Sequence, residues 1–431
     1  MKSSTYNNFF HFDGKNICYN LINDKFVILE DDVKELFLAA ERQTEMDELD
    51  KIHPEFFKYM VDEGFIIENE TDEFSQVVEI SKKADNNENQ FLLFINPTMN
   101  CNFKCWYCYE SHIKDSKMDT VTIDKTIQLI DQITKGSEGM EQFAISWFGG
   151  EPLLYFDKVI VPILTQAKQI LDSRNIQLMT GFTTNGLLFD KKKIDFLKSF
   201  YVQEIQITLD GYGENHDQVR FISSTKGSFH QIVYNIILLA KNDFNVVIRI
   251  NCSDKNMDDI DRIMELFGEY DDKIRKRLRF SYHKVWQLED ALENDVREYI
   301  DKYKSSGFYV DGAVYDSVRG SCYADKKNQA FLNYNGDVFK CSARDFKVGN
   351  RLGELNQNGV IEWNPDATVR ENAKFKNKPC HTCSILPICG GGCSQAAYEN
   401  LGKDYCVNDF DPVKKMEIVK RVFEQKILIN A

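Results

Sequence analysis

The sequence predicts an α/β protein built on a partial (β/α)6 barrel or a doubly wound sheet, with a small α+β unit before it and a loop-rich region after it. Six near-continuous apolar runs alternate with amphipathic stretches, a hairpin pattern precedes them, and ten of the twelve cysteines fall into two clusters. Apolar strands separated by helices are typical of a parallel sheet covered by helices. The 431 residues suffice for about three domains.

The composition excludes several classes of protein. Apolar residues make up 43% and charged residues 28%, which indicates a globular chain with a sizeable core. A net charge of −14 argues against a nucleic-acid partner, because phosphate neutralisation needs a basic surface. The first residues carry no apolar run and no stretch approaches about 18 apolar residues, so we expect a cytoplasmic protein without a membrane span. In a reducing compartment, clustered cysteines favour metal binding over disulfides.

Residues 1–85 predict a small α+β unit. Apolar and polar residues alternate over Ile17–Leu29 around a polar turn, as in a hairpin. Two helical patterns follow at Asp32–Glu41 and Asp47–Glu63, and a short apolar run then predicts a closing strand. The polar stretch 81–90 is typical of a linker.

Residues 91–310 predict the central sheet. Four helical stretches separate apolar runs, and ligands of such sheets lie at the carboxyl ends of the strands. Six units are too few for an eight-stranded barrel, which leaves an incomplete barrel or a doubly wound sheet. The runs are FLLFINP, FAISWF, LMTGFTTN, EIQITLDG, NVVIRINC and RLRFSYHKV, and the helices are Ile123–Ile133, Val159–Leu171, Phe229–Lys241 and Ile260–Phe267.

Residues 311–431 show little periodic structure and are rich in Cys, Gly and Asn before a closing helix at Pro412–Lys426. A loop-rich segment of this length lacks an obvious core, so bound metal would supply the missing cross-links. The isolated Cys18 and Cys252 are expected in the core, since unpaired cysteine is among the most buried residue types.

The first cysteine cluster follows the first strand of the sheet with the spacing C-x3-C-x2-C, at Cys101, Cys105 and Cys108. Three thiolates from one loop can hold a cubane and leave its fourth iron open to a small molecule. The alternative is a partial zinc site. The position at the carboxyl end of a strand favours a reactive site.

This pattern resembles the radical S-adenosylmethionine (SAM) superfamily, over about residues 91–285. The resemblance implies that the open iron binds SAM and that an electron from the cluster cleaves it to a 5′-deoxyadenosyl radical, which abstracts a substrate hydrogen. It also implies that Tyr107 contacts the adenine. Gly149 and Gly150 would let the backbone approach the ligand, and Glu151 would receive the SAM amino group.

Three further positions match the family's motifs after later strands. Asn185 lies in a TNG sequence after the third strand, and Thr208 begins TLDG, where the family has SLDG. Arg220 stands where the family often has an arginine that pairs with the SAM carboxylate. The order of these motifs along the chain carries the resemblance, because each motif alone is a common turn.

The second cysteine cluster resembles the SPASM domain, which carries two auxiliary 4Fe–4S clusters and so implies three clusters in all. CxxC pairs are also common in zinc sites, which are the alternative. The family pattern leaves one iron of one cluster without an assigned cysteine; Cys252 is conceivable there. By that pattern one cluster is held by Cys380, Cys383, Cys389 and Cys406, and the other by Cys322, Cys341 and Cys393.

SPASM enzymes mostly modify peptides, which leaves two hypotheses for the enzymatic activity. The first is a maturase that installs a thioether or carbon–carbon cross-link in a ribosomally made precursor peptide. The second is an anaerobic sulfatase maturase that forms formylglycine. Those enzymes commonly carry Asp directly after the cysteine that corresponds to Cys341, whereas this chain has Ser342 there. The unit at 1–85 resembles a winged-helix leader-peptide recognition element, which favours the first. No single catalytic residue stands out.

The resemblance also implies an electron donor such as flavodoxin or ferredoxin. A non-enzymatic alternative is a metal-binding scaffold or electron carrier. Such a protein would not produce 5′-deoxyadenosine from SAM.

Iron and sulfide analysis after anaerobic purification tests the cluster assignment. We expect iron and sulfide equivalent to three cubanes, and the loss of one in the variant Cys101→Ala/Cys105→Ala/Cys108→Ala, because the other cysteines hold their clusters independently. Zinc in the C-terminal region with a single cubane would contradict the SPASM assignment.

Overall fold

The computed structural model describes residues 1–43, 45–223, 225–285, 287, 293–311, 317–320 and 322–430. The chain forms two compact units. The first comprises Met1–Asn87, Tyr315–Lys327 and Pro365–Ala431, and the second Glu88–Val314 and Asn328–Asn364. Within the described ranges, no helix has the length and apolar character needed to cross a membrane.

The N-terminal part of the first unit is a three-stranded antiparallel sheet followed by helices. The elements are β1 (Lys2–Ser3), β2 (Asn7–Phe12), β3 (Lys15–Asn20), β4 (Lys25–Leu29), α1 (Asp31–Gln43), α2 (Glu48–Ile52), α3 (Pro54–Asp62), β5 (Ile66–Ile67) and α4 (Glu73–Asp85). The sheet has the order β2-β3-β4, and β1 pairs separately with β5.

The predicted hairpin is confirmed as β3 and β4, but the second predicted helix is wrong in one respect. Pro54 divides it into α2 and α3, because the residue before a proline is disfavoured in the helical region. His53 accordingly has φ −145° and ψ 74°. The predicted linker at 81–90 is also wrong in part, since α4 continues to Asp85 with Val77 and Ser81 on its buried side.

The elements of the second unit are β6 (Gln90–Ile95), α5 (Thr120–Thr134), β7 (Gln142–Trp147), α6 (Val161–Asp172), β8 (Gln177–Thr184), α7 (Lys191–Leu197), β9 (Tyr201–Leu209), α8 (Glu214–Val219), β10 (Phe221–Ser223), β11 (Lys226–Gly227), α9 (Phe229–Lys241), β12 (Val246–Cys252), α10 (Ile260–Gly268), α11 (Asp272–Arg275), β13 (Leu278–Lys284), α12 (Glu293–Ser305), β14 (Tyr309–Val310), β15 (Gln329–Leu332), β16 (Asp337–Phe339), β17 (Gly353–Leu355) and β18 (Ile361–Trp363). This unit contains a large sheet with the strand order β14-β13-β12-β9-β8-β7-β6-β15-β16-β17-β18.

All six apolar runs are confirmed as the parallel strands β6, β7, β8, β9, β12 and β13. They lie side by side in chain order, without the reversal that defines a doubly wound sheet. The sheet is therefore a partial barrel. One set of alternating side chains, such as Ile248 and Ile250 of β12, is fully buried in the main core with residues of the covering helices.

Residues 328–364 extend this sheet beyond β6. Strand β15 pairs in parallel with β6, and β16, β17 and β18 follow as an antiparallel meander. The Phe94 and Phe331 rings stack at 5.2 Å between centroids, and Phe346 packs against Phe331 at 4.8 Å. The expectation of little periodic structure after residue 311 is thus wrong here; residues 312–316 lie outside the described residues.

The C-terminal part of the first unit has short helices and one long one: α13 (Pro365–Glu371), α14 (Leu386–Cys389), α15 (Ser394–Glu399) and α16 (Pro412–Asn430). Helix α16 packs on the N-terminal sheet. Its Phe423 ring lies 5.3 Å from Phe10, 5.4 Å from Phe12 and 4.9 Å from Phe26. The first and last segments of the chain therefore share one apolar core.

Candidate active site and cysteine pockets

The loop after β6 carries the first three cysteines. Cys101 and Cys105 are partly buried, whereas Cys108 is exposed. Burial raises the pKa of the Cys101 thiol to about 12, with a contribution from Glu151, and that of Cys108 to about 11. The Phe103 amide donates to Cys101 Sγ at 3.4 Å. All three thiols thus lie on one loop at the carboxyl end of a strand.

Gly149 and Gly150 lie directly against this loop. A Cβ on Gly150 would meet Asn100 O at 2.3 Å, and one on Gly149 would meet Thr98 O at 2.5 Å, with Gly149 at φ +102°. The amides of Gly150 and Glu151 donate to Thr98 O and Asn100 O at 3.2 and 2.9 Å, respectively. The glycines therefore let the loop after β7 approach the backbone of the cysteine loop.

Glu151 is fully buried and its carboxylate is satisfied by the protein. It accepts hydrogen bonds from Leu153 N at 3.0 Å, Thr184 Oγ1 at 2.7 Å and Asn185 N at 2.8 Å. Burial raises the pKa of Glu151, and these donors counteract that shift. The carboxylate joins the loops after β7 and β8; its predicted contact with the SAM amino group stays a prediction.

Asn185 continues this linkage to the cysteine loop. Its side-chain amide donates to Asn102 Oδ1 at 2.8 Å, between Cys101 and Cys105. Gly186 has φ +78°, and a Cβ there would meet the Ile207 side chain at 2.8 Å. Asn185 of the TNG sequence thus positions Asn102, the residue that follows Cys101.

Tyr107 and Arg220 are brought together around a carboxylate that the sequence analysis did not single out. The Tyr107 hydroxyl donates to Asp210, whose oxygens lie 2.6 and 2.7 Å away. It accepts from Arg220 Nη2 at 2.8 Å and Asn251 Nδ2 at 3.0 Å. Arg220 Nε also donates to Asp210. Asp210 is the third residue of the TLDG motif, so the motif contained the signal.

His216 holds the backbone of Asp210 in place by a hydrogen bond. Its Nδ1 accepts from the Asp210 amide at 3.2 Å, and its Nε2 contacts Ser228 Oγ at 3.0 Å. Burial and, to a smaller extent, the nearby Arg220 lower the pKa of His216 to about 4, so the ring is neutral at pH 7. This neutral ring fixes the end of β9 without adding charge.

Thr208 lies nearby on β9, two residues before Asp210. It is buried, and its register partner on β12 is Arg249. The predicted SAM contacts of Thr208 and Arg220 stay predictions. The structure pairs Arg220 with Asp210 and Tyr107 within the protein itself.

A pocket in the first unit is lined by four of the C-terminal cysteines: Cys380, Cys383, Cys389 and Cys406. The Asn377 side chain donates to Cys380 Sγ at 3.2 Å and to Tyr405 O at 2.6 Å. The CGGGC sequence has three consecutive glycines with positive φ, and a Cβ on Gly392 would meet Val407 at 2.6 Å. This turn lets the segment of Cys406 approach that of Cys389.

The other three C-terminal cysteines do not line this pocket. Cys322 and Cys393 belong to the first unit and Cys341 to the second, and their shared cluster stays a prediction. Cys18 and Cys252 are fully buried, as expected. In the described part of the chain, no group of three or more His, Cys, Asp or Glu side chains is arranged around a single-ion site.

A family model described as the radical SAM superfamily matches residues 95–267, which include the cysteine loop, the GGE sequence and the Asp210–Arg220 pair. Residues 95–267 of the chain thus match a radical SAM domain. The chain is an enzyme with such a domain, and the domain implies SAM and a 4Fe–4S cluster. The three thiols suit such a cluster, because thiolates are its usual ligands.

Two curated relatives of this radical SAM enzyme cover most of its length. The cysteine-type anaerobic sulfatase-maturating enzyme of Clostridium novyi (strain NT) is 23% identical over 78% of this chain and 95% of the relative. The radical SAM cyclopropyl synthase TigE of Paramaledivibacter caminithermalis is 23% identical over 82% of this chain and 78% of TigE.

Two solved structures confirm the radical SAM fold. Native anSMEcpe with bound AdoMet matches at a TM-score of 0.57 and 18% identity, covering 79% of this chain and 98% of that one. Streptococcus suis SuiB bound to S-adenosylmethionine matches at a TM-score of 0.50 and 16% identity, covering 91% and 95%. At these identities the likeness concerns the fold.

The variant Gly150→Ala tests the close approach of the two loops. Its Cβ would overlap the Asn100 carbonyl, so the cysteine loop must shift, and we expect the iron content to fall by about four atoms per chain. Gly349→Ala is the matched control, because a Cβ there meets nothing within 4 Å. Equal iron contents in the two variants would contradict the steric argument.

Proposed function

We propose that this radical SAM enzyme matures a ribosomally made precursor peptide by installing a thioether or carbon–carbon cross-link. When bound at Cys101, Cys105 and Cys108, the cluster and SAM supply a 5′-deoxyadenosyl radical that removes a hydrogen atom from the substrate. Formation of either cross-link removes two hydrogen atoms from the peptide overall: one would form 5′-deoxyadenosine, and the other would leave as a proton and an electron that an auxiliary iron–sulfur cluster would accept. The protein's own residues orient the cofactor and the peptide.

The N-terminal sheet supports a substrate peptide that carries a leader segment. Strand β4 pairs only with β3 among the described strands, so its other edge offers backbone groups for an added strand. Its Phe26 and Ile28 side chains are 37% and 48% exposed, which gives an added strand apolar contacts. We propose that residues 1–85 act as a leader-recognition domain of the winged-helix type, followed by the barrel at 91–310 and a SPASM domain at 311–431.

The auxiliary clusters belong to the same proposal. Cys380, Cys383, Cys389 and Cys406 line one pocket, which supports a closed four-thiolate cluster suited to electron transfer. Cys322, Cys341 and Cys393 would hold the second. A flavodoxin or ferredoxin would supply the electron that the reaction needs.

Asp345 argues against formylglycine formation. It is the first carboxylate after Ser342, and it accepts from Ser111 N at 2.9 Å, Ser111 Oγ at 2.7 Å and Lys347 Nζ at 2.8 Å. Burial raises its pKa, but these hydrogen bonds outweigh burial and lower it. A carboxylate held in this way is a weak base.

Sulfatase maturation remains the second candidate. The observation that favours it is the match to the Clostridium novyi enzyme, which covers 95% of that relative. The match to TigE is equally close at 23% identity. Sequence identity therefore does not decide between the two, and the product must be measured.

Incubation with candidate peptides tests the proposal. The anaerobically reconstituted enzyme, SAM and dithionite should convert the precursor peptide encoded beside its gene into a product lighter by two hydrogen atoms, with release of 5′-deoxyadenosine. Mass spectrometry measures both. Formylglycine on a sulfatase-derived peptide would favour the second candidate, and SAM that stays intact would indicate an electron carrier.

The variant Ile28→Glu tests the edge of β4. A charge on the apolar edge should raise KM for the precursor about tenfold, while 5′-deoxyadenosine formation without peptide stays unchanged. Ile52→Glu is the control, since Ile52 is an exposed isoleucine of the same unit on α2, away from this edge. Equal KM values for the two variants would place the leader elsewhere.

A further inference from the structure

A surface depression of the first unit adjoins the pocket of the four C-terminal cysteines. Its lining includes Lys376, Lys378 and Lys403, which are called the lysine patch below. Asn377 and Tyr405 line both the depression and the cysteine pocket. A single layer of residues therefore separates the cysteine pocket from this surface.

Hydrogen bonds connect the two sides of this layer. The Asn377 side chain donates to Cys380 Sγ at 3.2 Å and accepts from the Tyr405 amide at 3.3 Å. The Tyr405 hydroxyl donates to Gly391 O at 3.0 Å, within the CGGGC turn. Because Asn377 is buried and bonded through both ends of its amide group, the depression keeps a fixed position relative to the thiols.

The depression is positively charged on a protein whose net charge is −14. Residues 373–408 contain four lysines and two carboxylates, and of these two Asp404 lines the depression. All three side chains of the lysine patch are exposed. The nearby Lys374 is paired with Asp325 at 3.5 Å, whereas the described residues include no ion-pair partner for the lysine patch. Its charge therefore faces solvent.

An acidic protein is the partner that this surface fits. A net charge of −14 repels such a partner from the molecule as a whole, so a local positive patch decides where it docks. Leu401 also lines the depression and is 40% exposed, which adds an apolar contact beside the charges. Electron-transfer proteins associate through small interfaces of this kind.

The proposed reaction requires single electrons to enter and leave the enzyme. Cleavage of SAM takes up one electron, and formation of a cross-link releases one. A protein that carries single electrons must therefore reach the enzyme, and a pocket of four thiolates suits electron exchange. The lysine patch lies on the outer side of the wall of such a pocket.

We infer that the lysine patch is the docking site of an acidic one-electron carrier protein. The redox group of the carrier gains or loses the same electron that the enzyme gives up or takes, and no bond forms or breaks at the patch. The inference rests on the proposed function, which creates the need for a carrier. It concerns residues that the peptide proposal does not use.

The first experiment measures the binding of a purified flavodoxin to the anaerobically reconstituted full chain by biolayer interferometry. The patch variant, Lys376→Gln/Lys378→Gln/Lys403→Gln, should raise the dissociation constant about tenfold at low salt. It should also flatten the dependence on ionic strength, because salt then has less attraction to screen. A wild type that does not bind flavodoxin, or a patch variant that binds it equally well, would overturn the inference.

A matched control removes the same charge outside the depression. Lys135, Lys191 and Lys241 are exposed lysines of the second unit, and their triple glutamine variant should bind flavodoxin as the wild type does. Equal losses in the two triple variants would show an effect of net charge alone and contradict the docking site. Arginine at all three positions of the patch should keep the affinity, since the charge is retained.

The second experiment compares two reductants. With flavodoxin, its reductase and NADPH, the patch variant should form 5′-deoxyadenosine about tenfold more slowly than the wild type at limiting flavodoxin. With dithionite the two rates should be equal, because a small ion needs no protein docking site. Slower reaction with both reductants would indicate damage to the reaction site, and equal rates with flavodoxin would place the carrier elsewhere; either result would overturn the inference.

An acidic stretch of the precursor peptide is the competing occupant of the depression. In that case the patch variant would raise KM for the precursor with dithionite and leave flavodoxin binding unchanged, which would rule out the carrier site. The patch variant should unfold at the wild-type temperature, because exposed side chains of this kind contribute little to stability. The binding measurements need no peptide, so failure of the maturase proposal would appear separately, as an unaltered peptide mass.

Discussion

The geometry of the site depends on one buried carboxylate. Glu151 has no exposed surface, and its oxygens accept from the loops after β7 and β8, while its own amide donates to Asn100 at the edge of the cysteine loop. A buried carboxylate is tolerated only when it is fully hydrogen-bonded. Removal of any one donor would leave the buried carboxylate with fewer hydrogen bonds, so these contacts hold the three loops against one another.

The sheet whose strand β7 precedes this carboxylate has two chemically different ends. At the β15 side, the stacked rings of Phe94 and Phe331 close the interior with apolar surface. At the β12 side, Arg249 and Asn251 leave it polar. The interior therefore has a hydrophobic wall at one side and a hydrogen-bonding wall at the other.

The sequence predicted the six parallel strands because buried strands of such sheets are nearly continuous apolar runs. It missed β2, whose sequence NNFFHF buries Asn8 through a hydrogen bond to Tyr6 O and so breaks the expected alternation. It located the cysteines and the TLDG motif by spacing. The partners of Glu151 and the pairing of Arg249 with Thr208 in the sheet depend on register between distant strands, which no local pattern contains.

The packing of Phe423 on the N-terminal sheet has a consequence for biosynthesis. The sheet formed by the first 29 residues cannot complete its core until α16 has been translated, whereas domains usually fold in order from the N-terminus. The apolar face of β2 and β3 therefore stays exposed while the whole barrel is being made. During that interval it is a natural target for chaperones, and truncation of the last helix would make this exposure permanent.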